Sequence, residues 1–281
     1  MADALRAERA APEPSYRLRV DCDGERGVRR LEVFRSGAAI WELHTHVMLP
    51  VQTRVDLLHR LDEGGFVALE PRYGGKPEAT KEPARALRIV CRIELELDGV
   101  RASSIQFADG EQSKALRSLA NALLDAVAPL AASGTRVDGL EQGLELLSRG
   151  DLLPEGFELR FVELPRPGTT TVPGTILRVE HRTATTRVYL PGVELGEPVS
   201  TELSDDAFRS LIGELVAANL QSLPVNLWAE DQLDLEVRVL GHQRSIQARP
   251  FSRLGSDTLG EAQRRFDRLV EAIRALVPGP Q

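Results

Sequence analysis

A chain of 281 residues, 42% of them hydrophobic, has room for two ordinary domains, each able to bury its own core. Its formal charge of −7 argues against a nucleic-acid binder held by phosphate contacts, because that mode needs a basic stripe. No run approaches the roughly 18 apolar residues of a membrane helix, so no membrane partner is expected.

In chain order, residues 1–15 combine Pro12, Pro14 and mixed charges with no apolar face, which predicts a mobile N-terminal arm. They also lack the apolar stretch of a signal peptide, so a cytoplasmic, bacterial-type protein is expected. Tyr16–Val20 alternates apolar residues with arginine, Arg30–Arg35 carries Leu31 and Val33, and Ile40–Leu49 alternates again. Three antiparallel strands are predicted, with turns at Asp23-Gly24 and Ser36-Gly37. Val51, Val55, Leu58 and Leu61 recur at helical spacing, and Gly64-Gly65 stops that helix. After a loop, Leu87–Leu97 and Val100–Phe107 flank the hairpin signal Asp98-Gly99. Leu116, Leu119, Leu123 and Val127 then mark a closing helix, so 16–131 reads as a βββαββα module.

Residues 132–155 read as a linker whose Val137, Leu140, Leu144 and Leu147 space like a short helix wedged between two modules. Over 156–281 the order repeats: strands at Phe157–Phe161, Thr175–Glu180 and Thr186–Leu190, a helix from Asp205 to about Leu220, strands at Leu233–Val239 and Arg244–Arg249, and a helix at Thr258–Val277. Leu49–Leu69 and Leu203–Leu223 align without a gap at an offset of 154, which carries Leu49 to Leu203, Leu58 to Ile212, Leu61 to Leu215 and Leu69 to Leu223. Tyr16–Val20 matches Phe157–Phe161, and Ser104-Ile105-Gln106 matches Ser245-Ile246-Gln247. The expected fold is therefore α+β: a tandem duplication of a βββαββα module, each an antiparallel sheet with two helices on one face.

Candidate chemistry is sparse. The offset falls from 154 to 142 at Gly99 and Gly241, which gives the first module twelve extra residues in the loop Glu70–Ala86. Long loops on rigid sheets often carry binding residues, so Tyr73, an aromatic anchor, with Lys76 and Lys81 are the candidate binding residues. Glu42, His44 and His46 alternate on a predicted strand and share a face, a set that zinc or iron accepts. Trp41, Leu43, Thr45 and Val47 take the core side, so solvated side chains without metal are the expected state. Cys22 and Cys91, the two cysteines, either pair across the sheet or pack as small apolar thiols in a reducing compartment, the latter being expected. Neither a Gly-x-Ser-x-Gly elbow nor a Gly-x-Gly-x-x-Gly loop occurs, and no catalytic residue and no cofactor is expected. The last helix carries a stripe of Phe266, Leu269, Val270 and Ile273, expected to pack on its own sheet, with homodimerisation as the alternative.

The passage Leu-Leu-His-Arg-Leu-Asp-Glu-Gly-Gly-Phe-Val-Ala-Leu-Glu-Pro-Arg-Tyr-Gly at 57–74, within the strand, helix, hairpin, helix order, resembles emfourin-type domains and related bacterial domains. Emfourin-type proteins are small bacterial inhibitors of thermolysin-like metalloproteases. The resemblance covers each module loosely and implies a shared fold. It departs at the first turn, where Asp21-Cys22-Asp23-Gly24 and Pro165-Arg166-Pro167-Gly168 stand in place of a glycine-rich turn, so no inhibitory residue is carried over. The expected function is a non-catalytic protein–protein interaction or adaptor protein whose partner is another protein. The alternatives are a cytoplasmic protease inhibitor and a metal-dependent enzyme using His44 and His46.

Overall fold

Alternation decides the first sheet. In a computed structural model that describes residues 1–24, 27–74, 88–108, 113–165, 173–189, 196–250 and 256–277, the chain divides into two units, 1–136 and 137–281. The first unit runs α1 (Ala2–Arg9), β1 (Tyr16–Gly24), β2 (Gly27–Val33), β3 (Ala38–Trp41), β4 (Thr45–Met48) and α2 (Val51–Glu63). A 3-10 turn at Phe66–Ala68 leads into β5 (Arg72–Tyr73), β6 (Ile89–Leu97), β7 (Val100–Phe107), α3 (Lys114–Ala131) and β8 (Thr135–Arg136). The strands form one sheet in the order β5-β7-β6-β1-β2-β3-β4-β8. Leu18 and Val20 of β1 lie opposite Leu95 and Ile93 of β6 and bury one face against Leu58 and Leu61 of α2 and Leu116, Leu123 and Val127 of α3. Each such side chain contributes about 1.5–3 kcal/mol of burial.

The second unit has α4 (Leu140–Arg149), β9 (Phe157–Leu164), β10 (Gly174–Glu180), β11 (Thr183–Tyr189), β12 (Val199–Glu202) and α5 (Asp205–Ala218). A 3-10 turn at Leu220–Ser222 precedes β13 (Asn226–Trp228), β14 (Gln232–Val239), β15 (His242–Arg249) and α6 (Ser256–Arg274). Its sheet runs β13-β15-β14-β9-β10-β11-β12, the same path as β5-β7-β6-β1-β2-β3-β4 in the first unit. Chain reversals sit at matching places too: Gly65 and Asn219, after the first long helix of each unit, both have positive φ.

The fold is α+β, but five details differ from the expectation. Neither sheet is purely antiparallel, since β5 pairs parallel with β7 and β13 with β15. Both short strands follow a helix that returns the chain to the far edge, and that crossover makes the pairing parallel.

Each unit carries a third helix. Where a mobile arm over 1–15 was expected, α1 packs on α2, with Leu5 fully buried and Arg9 paired to Asp62 at 2.7 Å. The expected wedge, α4, belongs to the second unit, with Leu140, Leu144 and Leu147 buried. A Cβ on its Gly143 would fall 2.6 Å from Val239 Cγ1, so glycine lets α4 lie close on β14.

The predicted strand Ile40–Leu49 is a hairpin, because Glu42 and Leu43 both take positive φ, 50° and 65°, and reverse the chain between β3 and β4. The two cysteines are not packed thiols. Cys22 and Cys91 are direct register partners and form a disulfide.

Finally, the match of Ser104-Ile105-Gln106 with Ser245-Ile246-Gln247 is one residue out of register. Ser104 lies opposite Ile93 and is buried, whereas its place opposite Leu235 is taken by Ile246. A one-residue slip exchanges the two faces of a strand, so the letters align but the faces do not.

Candidate functional site

The sequence-predicted site residues do not converge. The Glu42-Leu43 reversal takes Glu42 and His44 off any shared strand face with His46, which is buried on β4 opposite Ile40 and Thr135. Among the described residues no three His, Cys, Asp or Glu side chains gather closely enough to hold a metal ion. Tyr73 is not a loop anchor. It lies in β5, half-buried against the first core, and its hydroxyl accepts from the Glu70 N–H at 3.1 Å. Lys76 and Lys81 lie outside the described residues. The last helix buries Phe266, Leu269, Val270 and Ile273, so that stripe belongs to the monomer.

What the fold does assemble is a charged lattice on the sheet face away from the helices. Since Leu18, Val20 and Cys22 of β1 point inward, Arg17, Arg19 and Asp21 point outward. Arg19 lies opposite Glu32 of β2 and Glu94 of β6. Arg17 binds Glu32 at 2.9 Å, and Glu96 receives Arg35 at 2.9 Å and Arg101 at 2.7 Å. Except for Arg35, these residues border a concavity of about 330 Å³.

At its margin Asp21, only 5% exposed, accepts from Arg30 Nε at 2.7 Å, from Arg92 Nε at 2.9 Å and from Arg19 Nε at 3.2 Å. Burial pushes its carboxyl up. The Arg92 hydrogen bonds and the charges of Arg92, Arg19 and Arg30 outweigh that and hold it below its ordinary range. This face is a satisfied checkerboard.

The corresponding face of the second unit is not. Arg160 of β9 lies directly opposite Arg178 of β10, and Arg187 of β11 sits one step diagonally away, opposite Ile176. Like charges placed directly opposite each other destabilise a ladder. Arg178 is paired with Glu180, while Glu158 and Glu236 both turn to Arg238, at 3.4 and 3.5 Å. Arg160 and Arg187 make no ion pair or side-chain hydrogen bond among the described residues. All of these groups line one concavity of about 620 Å³. Chemically, it offers two exposed guanidinium forks, which suit carboxylates and other planar or tetrahedral anions.

Sequence reasoning missed this cluster because its arginines come from three consecutive strands whose relative register the sequence does not show. Only the register brings them together. The signal that was available, the near absence of lysine among 35 basic residues, points to arginine chemistry without placing it. Comparison of the chain with protein-family models and with curated proteins returns no match. Among the described residues no helix is long and apolar enough to cross a membrane.

Proposed function

We propose that this chain is a non-catalytic protein-binding protein, made of two α+β modules related by tandem duplication, whose second module recognises an acidic segment of a partner protein. The duplication is supported by the shared element order and by the matched strand order of the two sheets. The observation that carries the functional reading is the Arg160, Arg178 and Arg187 cluster, in which the Arg160 and Arg187 guanidinium groups make no ion pair among the described residues and line a concavity. Arginine is enriched at protein interfaces, and its fork pairs bidentately with carboxylates. In the first unit Glu32 faces Arg19 from the strand where Arg178 faces Arg160. The two faces are therefore specialised differently, one self-satisfied and one left for a partner.

The test compares the wild-type chain with the double variant Arg160→Glu, Arg187→Glu as baits in lysate of the source cell, with quantitative mass spectrometry. Proteins captured through this face should be depleted at least tenfold by the variant and should weaken with added salt, since exposed charges are screened. Equal capture by both baits, with unchanged thermal unfolding, would remove the second sheet face from the binding surface.

A further inference from the structure

The two sheets differ at one edge. In the first unit, β4 is covered by β8, with His46 opposite Thr135 and Thr45 opposite Arg136 in antiparallel pairing. In the second unit β12 ends the sheet, and all four of its residues are exposed. Among the described residues no strand pairs with the outer edge of β12. Unprotected edge strands pair with other strands.

We infer that the β12 edge pairs antiparallel with the β12 edge of a second copy of this chain, joining two second-unit sheets across a two-fold axis. The register follows from the backbone. Leu203 donates its N–H to Arg182 of the neighbouring hairpin, so by alternation Thr201 and Val199 also face inward, and Ser200 and Glu202 present their N–H and C=O groups outward. Directly opposed residues in an antiparallel pair must both face the partner or both face away. That leaves three two-fold registers, centred on Ser200, Thr201 or Glu202.

Centring on Ser200 brings Pro198 opposite Glu202 and forfeits a donor. Centring on Glu202 sets two carboxylates against each other, which is unfavourable. Centring on Thr201 puts Ser200 opposite Glu202 twice, Thr201 opposite itself and Val199 opposite Leu203. It alone satisfies the outward N–H and C=O groups of both residues without like charges, and facing threonines are a favourable pair. Val199 and Val188, 55% and 47% exposed, supply apolar surface beside this seam. The contact is isologous and closes as a dimer.

Sedimentation equilibrium over a concentration series tests it. The full-length wild type should shift from one chain to two as concentration rises. Ser200→Pro removes an outward N–H while sparing the inward ladder, and should stay monomeric with near-wild-type circular dichroism. Ser200→Ala keeps the N–H and should dimerise. The register is read by oxidative cross-linking, since Cys22 and Cys91 are already bridged. Thr201→Cys faces its own copy and should form a covalent dimer, whereas Ser200→Cys faces Glu202 and should not. A wild-type monomer at every concentration overturns the proposal, as does dimerisation by the proline variant or cross-linking through position 200 but not 201.

Discussion

At Asp21 a single buried carboxylate gathers Arg19, Arg30 and Arg92, and the neighbours decide its charge state. Because its pKa lies below the unfolded value, its contribution to stability is complete above the ordinary carboxylate range near pH 4 and is lost as pH falls through the folded value. Asp21→Asn should cost the first unit about 2–3 kcal/mol at neutral pH, the scale of charged hydrogen bonds lost from a mostly buried cluster. In urea unfolding at stepped pH the gap between variant and wild type should narrow as acid protonates the native carboxyl. A gap that stays constant to low pH would show that shape, not charge, holds the cluster. The second unit has no such need, since Val162 stands at the matching place on β9. A similar exchange occurs in the cores. Burial pushes the Tyr16 phenol up as it donates to the Arg54 carbonyl at 2.9 Å, while the second unit has Phe157 and Phe208 packed edge to face, 5.5 Å between centroids.

Among the elements, those with long periodic stripes were legible and those with one or two signalling residues were not. The helices α2, α3, α5 and α6 and the hairpin at Asp98-Gly99 announce themselves through stripes and turn chemistry. The hairpin at Glu42-Leu43 carries no Gly, Asn or Asp, the residues that positive φ favours, so its sequence reads as one continuous strand. β5 and β13, of two and three residues, are too short to show alternation. α1 offers one leucine to its core, and that leucine is its measurable handle. Leu5→Ala should lower the unfolding free energy of the first unit by about 2–4 kcal/mol, as for other fully buried leucines. A loss under about 0.5 kcal/mol, typical of surface changes, would show that α1 is dispensable. The candidate site was less legible than the fold, because Arg160, Arg178 and Arg187 acquire meaning only once strand register is known.

At the scale of the whole chain two compact units divide the structure, and fragments 1–136 and 137–281 should each unfold cooperatively when expressed alone. Chemical denaturation followed by circular dichroism checks this, and a fragment without a transition would show that its core is borrowed. The disulfide between Cys22 and Cys91, 69 positions apart, gives the first unit a property beyond stability. It is a bond that persists in oxidising surroundings. It also makes the backbone between its ends redundant as a tether. A single backbone cut anywhere between Cys22 and Cys91 leaves two polypeptides joined by sulfur, and they part on a denaturing gel only after a thiol has opened the bridge.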